Sequence, residues 1–179
     1  MITYIALLRG INVSGHHKIK MSELKQLFVN LGFYEVTTYI QSGNVIFESL
    51  QKNSSILEEQ ITEQVKKEFG HTIKVLVVTK KQLKTVFESN PFLKNKEIDI
   101  RPLYAIILKA NYLAKGIKRL EPYLTNDEDV KIIDNCAYIH YPNGAGKSKL
   151  TINIIEKKLE TIATSRNWRT ITKLVELIN

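Results

Sequence analysis

Three runs in this chain are apolar at successive rather than alternate positions: YIALL from Tyr4 to Leu8, VLVV from Val75 to Val78, and YAIIL from Tyr104 to Leu108. A strand with one wet face alternates apolar and polar residues, so an unbroken run requires cover on both faces. The segments between the first two runs define the unit they belong to. Leu24, Leu27, Phe28 and Leu31 fall at helical spacing and Gly32 closes that helix. Strands are expected over Val36 to Gln41 and Val45 to Glu48, joined through the turn residues Ser42-Gly43-Asn44. Ser55 with Glu58 reads as a capping box that opens a helix with Leu57, Ile61, Val65 and Phe69 on one stripe, ended by Gly70. Ile73 to Val78 is the next strand. The order is βαββαβ, the ferredoxin-like split unit.

The pattern then nearly repeats. Thr79 with Gln82 forms a second capping box, for a short helix through Leu83, Val86 and Phe87 that Asn90-Pro91 stops. Residues 92 to 101 are polar and mixed, the composition of a linker. Leu103 to Leu108 is a strand, and 112 to 121 a modest helix weakened by Gly116 and ended by Pro122. Val130 to Ile133 and Ala137 to Tyr141 flank a two-residue turn, Asp134-Asn135. Leu150, Ile154, Ile155 and Leu159 mark a helix with Ser148 as its cap. A final helix, with Trp168, Ile171, Leu174, Val175 and Ile178 on one face, is expected where the last strand would stand. The expected class is α+β: two ferredoxin-like (βαββα) subunits packed around a shared core. The expected boundaries are 1–80, a helix and linker over 81–101, and a second subdomain with its C-terminal helix over 102–179. Helices cover only one face of a lone unit, so the two-sided runs imply intimate packing of the halves.

Over 179 residues the formal net charge is +8 and the pI near 9.4, which favours anionic partners. Cys136 is the only cysteine, so no internal disulfide forms, and its bland reading is a small buried hydrophobe. No apolar run reaches membrane-spanning length, and no membrane partner is expected. The opening MITYIALLRG reads as a strand, not an export signal, and the expected location is the cytoplasm. The oligomeric state is open.

Chemistry concentrates in a few places. Pro142 to Lys149, PNGAGKSK, is similar to the phosphate-gripping loop of nucleotide hydrolases. The spacing of that loop requires glycine at 141, where this chain has Tyr141, and Asp134 at the end of VKIID is the only close match to a magnesium-holding aspartate. No nucleotide-triphosphatase activity is expected. Arg9, Asn12 and Lys18 occupy the long loop after the first strand, where ligand sites often lie; Asn12 capping its own backbone is the competing reading. Ser42 and Asn44 are candidates that a simple β-turn would also explain. Lys147, Lys149, Lys157, Lys158, Arg166, Arg169 and Lys173 gather late in the chain, near a helix start suited to anions. The candidate ligand-binding set is therefore Arg9, Asn12, Ser42, Asn44, Lys147, Lys149 and Arg166, converging on a basic cleft between the halves.

His16-His17 does not read as a metal pair, because adjacent side chains point apart and no Cys or carboxylate cluster lies nearby. No metal or cofactor is called for, and no catalytic triad is recognisable from spacing. GNVIF from Gly43 is similar to the end of an RNA-recognition strand, but Asn44 stands where such a sheet carries its stacking aromatic.

Four boxes carry a resemblance along most of the chain: RGINV from Arg9, YIQSGNVIF from Tyr39, SKLT from Ser148 and ATSRNWRTITKL from Ala163. Together they resemble a family of bacterial domains of unknown function that open on the Arg-Gly-Ile-Asn box. The resemblance implies a two-part α+β fold of ferredoxin-like character and no established activity. It also implies that arginine often stands at the position of Lys147, which a catalytic phosphate loop tolerates poorly. Two functions follow as expectations. The first is binding of an anionic ligand, nucleic acid or a phosphorylated small molecule. The alternative is an enzyme acting on a phosphorylated or nucleotide-like substrate, with Arg9 and Lys147 as charge clamps.

Overall fold

Tyr4 to Leu8 are buried to the last atom, as an unbroken apolar run requires, and β1 (Ile2–Leu8) lies inside an antiparallel sheet. The structure, a computed structural model, describes residues 1–13, 15–94, 97–109, 111–125 and 127–179. Packing divides the chain into two units, Met1–Lys84 with Leu177–Asn179, and Thr85–Glu176.

In the first unit α1 (Met21–Asn30), β2 (Tyr34–Tyr39), β3 (Asn44–Ser49), α2 (Ser54–Phe69) and β4 (Val75–Thr79) follow β1. The sheet order is β2-β3-β1-β4 with every pairing antiparallel, the ferredoxin-like arrangement. Leu24, Leu27 and Phe28 of α1 and Leu57, Ile61 and Val65 of α2 pack with Tyr4, Ala6, Leu8, Val45, Phe47, Val75 and Val77. Aromatic rings knit this core, with Phe33 and Phe47 centroids 4.6 Å apart and Phe28 edge-on to Phe47 at 5.3 Å. The intervening residues Ile5, Leu7, Ile46, Leu76 and Val78 are buried as well, so both faces of this sheet are covered.

The second unit holds α3 (Lys80–Glu88) from Thr85 onward, β5 (Leu103–Leu108), a 3-10 helix over Ala114–Tyr123, β6 (Asp129–Ile133), β7 (Cys136–His140), α4 (Ile152–Leu159), β8 (Ala163–Asn167) and most of α5 (Trp168–Leu177). Its order, β6-β7-β5-β8, repeats that of the first sheet. Here the expected βαββα pattern is corrected: the fourth strand is present, and α5 follows it instead of replacing it. ATSRN has no apolar alternation to detect. Ala163 faces the core with Ile106, Leu108, Ala137 and Ile139, whereas Thr164 and Arg166 are buried on the other face. On that other face Trp168 stacks on Phe87 at 5.6 Å, and the Tyr138 hydroxyl donates to the Val86 carbonyl at 2.9 Å.

Caps follow local chemistry in part. Thr79 and Gln82 form the expected reciprocal box: the Thr79 amide donates to Oε1 of Gln82 at 2.8 Å, and the Gln82 amide to Oγ1 of Thr79 at 3.2 Å. The helix α2 is instead capped by Asn53, whose Oδ1 accepts from the Ser55 amide at 2.9 Å. Glu58 turns inward, and its Oε1 accepts from the Val77 amide at 3.0 Å. Thr151, not Ser148, caps α4; the Ser148 hydroxyl accepts from the Leu150 amide. No helix among the described residues is long and apolar enough to cross a membrane.

Cys136 is 1% exposed, and burial pushes its thiol up from 9.0 to about 12. The raised value favours the neutral thiol in the fold, a contribution present below about pH 9 and lost as pH rises toward about 12. The native protein is therefore expected to resist iodoacetamide near about pH 8 while the urea-unfolded chain is alkylated, as followed by mass spectrometry. Alkylation of both forms at one rate would show a reachable thiolate.

Candidate anion-binding site

Two pairs of backbone bonds recur at the same corner of each unit. The Leu8 amide donates to the Gly43 carbonyl at 2.8 Å, and the Leu108 amide to that of Asn135 at 2.9 Å. One residue on, the Arg9 amide donates to the Lys74 carbonyl at 2.9 Å, and the Lys109 amide to that of Ile162 at 2.8 Å. Arg9 and Lys109 are thus counterparts, each where the first strand of its unit gives way to a loop.

In the first unit that loop is fastened by Asn12. Its Nδ2 donates to the carbonyls of Ile19 at 2.9 Å and Gln41 at 3.0 Å, and its Oδ1 accepts from the Ile19 amide at 2.9 Å. Asn12 sits at φ 54°, a left-handed conformation that asparagine tolerates well. Beyond it, a narrow bridge joins Val13 and His16, and the Asn12 amide reaches the His17 carbonyl at 3.2 Å. The His17 ring is held through Nδ1, 3.0 Å from the Gly10 carbonyl. A carbonyl only accepts, so Nδ1 carries the proton of that bond. The His71 ring lies 5.1 Å from that of His17.

This loop and the approach to β4 border an open depression of about 430 Å³, lined by Arg9, Gly10, His16, His17 and Lys74 among others. Among the described residues that line it there is no carboxylate. Its charged groups are all cationic, and the two imidazoles add hydrogen-bonding capacity. The counterpart cavity beside Lys109, about 640 Å³, differs in kind: Glu156 and Glu160 stand there with Lys157. One corner of the fold is basic in the first unit and mixed in charge in the second.

Ser42, Asn44, Lys147, Lys149 and Arg166 are not among the residues that line this depression. Asn44 is fully buried; its Nδ2 donates to the Tyr39 carbonyl at 3.0 Å and to the Ser42 hydroxyl at 3.1 Å, so this pair shapes the β2–β3 turn. Lys147 and Lys149 are exposed on the loop before α4. In that loop the amides of Gly144, Lys147 and Ser148 are bonded to the carbonyls of Tyr141, Gly144 and Ala145, and the Tyr141 hydroxyl donates to the Leu150 carbonyl at 3.0 Å. Amides that a phosphate-gripping loop would aim at its ligand are thus engaged within the turn. Arg166 is buried on the face of its sheet opposite the Leu150 core, donating to the Thr164 hydroxyl at 3.0 Å and the Ser165 carbonyl at 2.7 Å. Burial lowers its pKa to about 10. The structure places Arg9 and Asn12 in one loop, and keeps Arg166 away from the solvent side where Lys147 and Lys149 stand.

His17 and Lys74 were legible only in combination. The register opposing Leu8 to Val75 sets Lys74 against Arg9, and adjacent β1 and β4 strands are what a split βαββαβ unit dictates.

A model of the family described as "Protein of unknown function (DUF1697)" matches residues 1–138. That stretch contains the first two boxes and ends before those that begin at Ser148 and Ala163. Among curated proteins, none matches the sequence. Among solved structures, a conserved bacterial protein from Streptococcus pneumoniae is similar with a TM-score of 0.77 and 21% identity, over 99% of this chain and 99% of its own. At that identity the likeness is one of fold.

Proposed function

The chain belongs to this family of proteins of unknown function, and on that premise, which supplies no activity, we propose that it binds a phosphate-bearing small molecule in the basic cavity beside Arg9. The observation that carries this reading is a concave site whose charged lining residues, Arg9 and Lys74, are both cationic. A guanidinium presents paired N–H groups to two phosphate oxygens, and an ammonium adds a compact point charge. Its volume is that of a small organic ligand, which favours such a ligand over a nucleic-acid strand.

A second reading, an enzyme acting on a phosphorylated substrate, draws on the imidazoles of His16 and His17 in the same cavity. Imidazole serves as acid or base near neutral pH. Substrate turnover, absent in a His17→Gln variant that still binds phosphate, would support it.

Isothermal titration at low salt tests the binding. Arg9→Ala and Lys74→Ala are each expected to weaken phosphate affinity about tenfold or more, since a charge-assisted bond contributes roughly 1.5–3 kcal/mol. The Lys147→Ala/Lys149→Ala pair is expected to leave it unchanged. Loss in that pair with none in the first two would move the site to the late loop.

A further inference from the structure

The cavity beside Arg9 is too large for its charge. Inorganic phosphate fills a small part of about 430 Å³, whereas pockets of roughly 300–1,000 Å³ hold whole organic ligands. The remaining wall is of another character. Val13 and Ile73 line it, and the His17 ring, fixed through Nδ1 by the Gly10 carbonyl, presents a flat surface beside the His71 ring. Val13 is 54% exposed although the bridge to His16 pins its backbone. A single exposed valine is ordinary on a surface, but this one is bridged to His16 and lines the same depression as His17, Arg9 and Lys74. The corresponding corner of the second unit also has an exposed apolar residue, Ile162, beside its lysines, but no ring lines the site beside Lys109 among its described residues, and carboxylates stand there.

Resting on the anion reading of this cavity, we propose that its ligand is a phosphate monoester carrying a flat heterocycle, of the nucleoside monophosphate class. The phosphate sits between Arg9 and Lys74. The heterocycle lies on the wall of Val13 and the His17 ring, where its π-face meets an apolar group and an aromatic one. Stacking of this kind tolerates any base, so the site distinguishes a nucleotide from a sugar phosphate more strongly than one base from another.

Three probes separate the outcomes in NMR titrations of the full chain: inorganic phosphate, ribose 5-phosphate and adenosine 5′-monophosphate. The expected result is shifts at Arg9 and Lys74 with all three, shifts of the His17 ring protons with the nucleotide alone, and nucleotide affinity about tenfold or more above ribose 5-phosphate. Val13→Ser, at an exposed position, is expected to weaken the nucleotide several-fold and leave ribose 5-phosphate unchanged. Equal affinity for the nucleotide and the sugar phosphate, or equal loss of both in Val13→Ser, overturns the proposal and leaves a general phosphate site. No binding by any probe removes the anion reading, and this proposal with it.

Discussion

Replacing Gly116 by alanine is expected to destabilise the protein by more than about 3 kcal/mol, at the severe end for a point substitution. A Cβ at this position would run into the Lys158 carbonyl oxygen, with the Lys158 carbonyl carbon at 3.0 Å and Leu159 Cδ2 at 3.4 Å. Backbone has no alternative rotamer, so the 3-10 helix would have to move as a body. It cannot move freely, because the Leu113 amide donates to the Leu159 carbonyl at 2.7 Å and the Gly116 amide to that of Leu113 at 2.8 Å. Relief would open the core where Leu120 packs with Ile155 and Leu159. Urea unfolding measures the effect, with Gly146→Ala as control: nothing lies within 4 Å of a Cβ there. Equal midpoints for the two variants would show that the helix yields at little cost.

Gly43→Ala is expected to lower stability by about 2–4 kcal/mol, combining left-handed strain with overpacking. Gly43 sits at φ 74°, and a Cβ would lie 2.7 Å from Ile11 Cδ1 and 2.8 Å from Leu8 Cβ. The Ile11 side chain can give way, but Leu8 Cβ is fixed to its strand, and the Leu8 amide holds the turn through the Gly43 carbonyl. The damage should also reach the ligand. Asn12 bonds the Arg9 loop to the Gln41 carbonyl in this same turn, so a displaced turn takes the loop with it. The outcome to measure is joint: a lower unfolding midpoint, and weaker phosphate binding at temperatures where the variant is still folded. Gly10→Ala separates strain from crowding, because it shares a positive φ, 70°, with open space around its Cβ. If it destabilises as much as Gly43→Ala, crowding contributes nothing.

These two glycines mark how far local pattern carried. Gly43 stood inside Ser42-Gly43-Asn44, whose turn composition was plain, and only the approach of Ile11 and Leu8 was out of sight. Gly116 read as a helix weakness, because the backbone of Lys158, which requires it, lies far along the chain. Apolar runs announced β1, β4 and β5; β8 is buried at Ala163, Thr164 and Arg166, a set that no hydrophobic period flags. Ser55 with Glu58 matched a capping box by spacing, yet Glu58 lies beside Leu57 on the inward stripe and serves Val77 instead. At the candidate site the logic was similar. Arg9 and Asn12 were visible as a loop after a strand, while Lys74 joined them only through strand pairing and His17 through a ring bond to Gly10.

Each sheet ends on a strand paired on one side only, β4 in the first and β8 in the second. Such a border invites addition of a foreign strand, the opening step of edge-to-edge aggregation. A glutamate from the helix before the strand meets that hazard in both units: Glu58 accepts from the Val77 amide, and Glu156 from that of Ala163, each at 3.0 Å. An intruding strand would have to displace a carboxylate to reach that amide, and would leave the displaced charge to be resolvated or buried. A chain with two like sheets carries twice the risk of strands pairing with the wrong copy. In both units the carboxylate thus occupies an edge amide that an incoming strand would need.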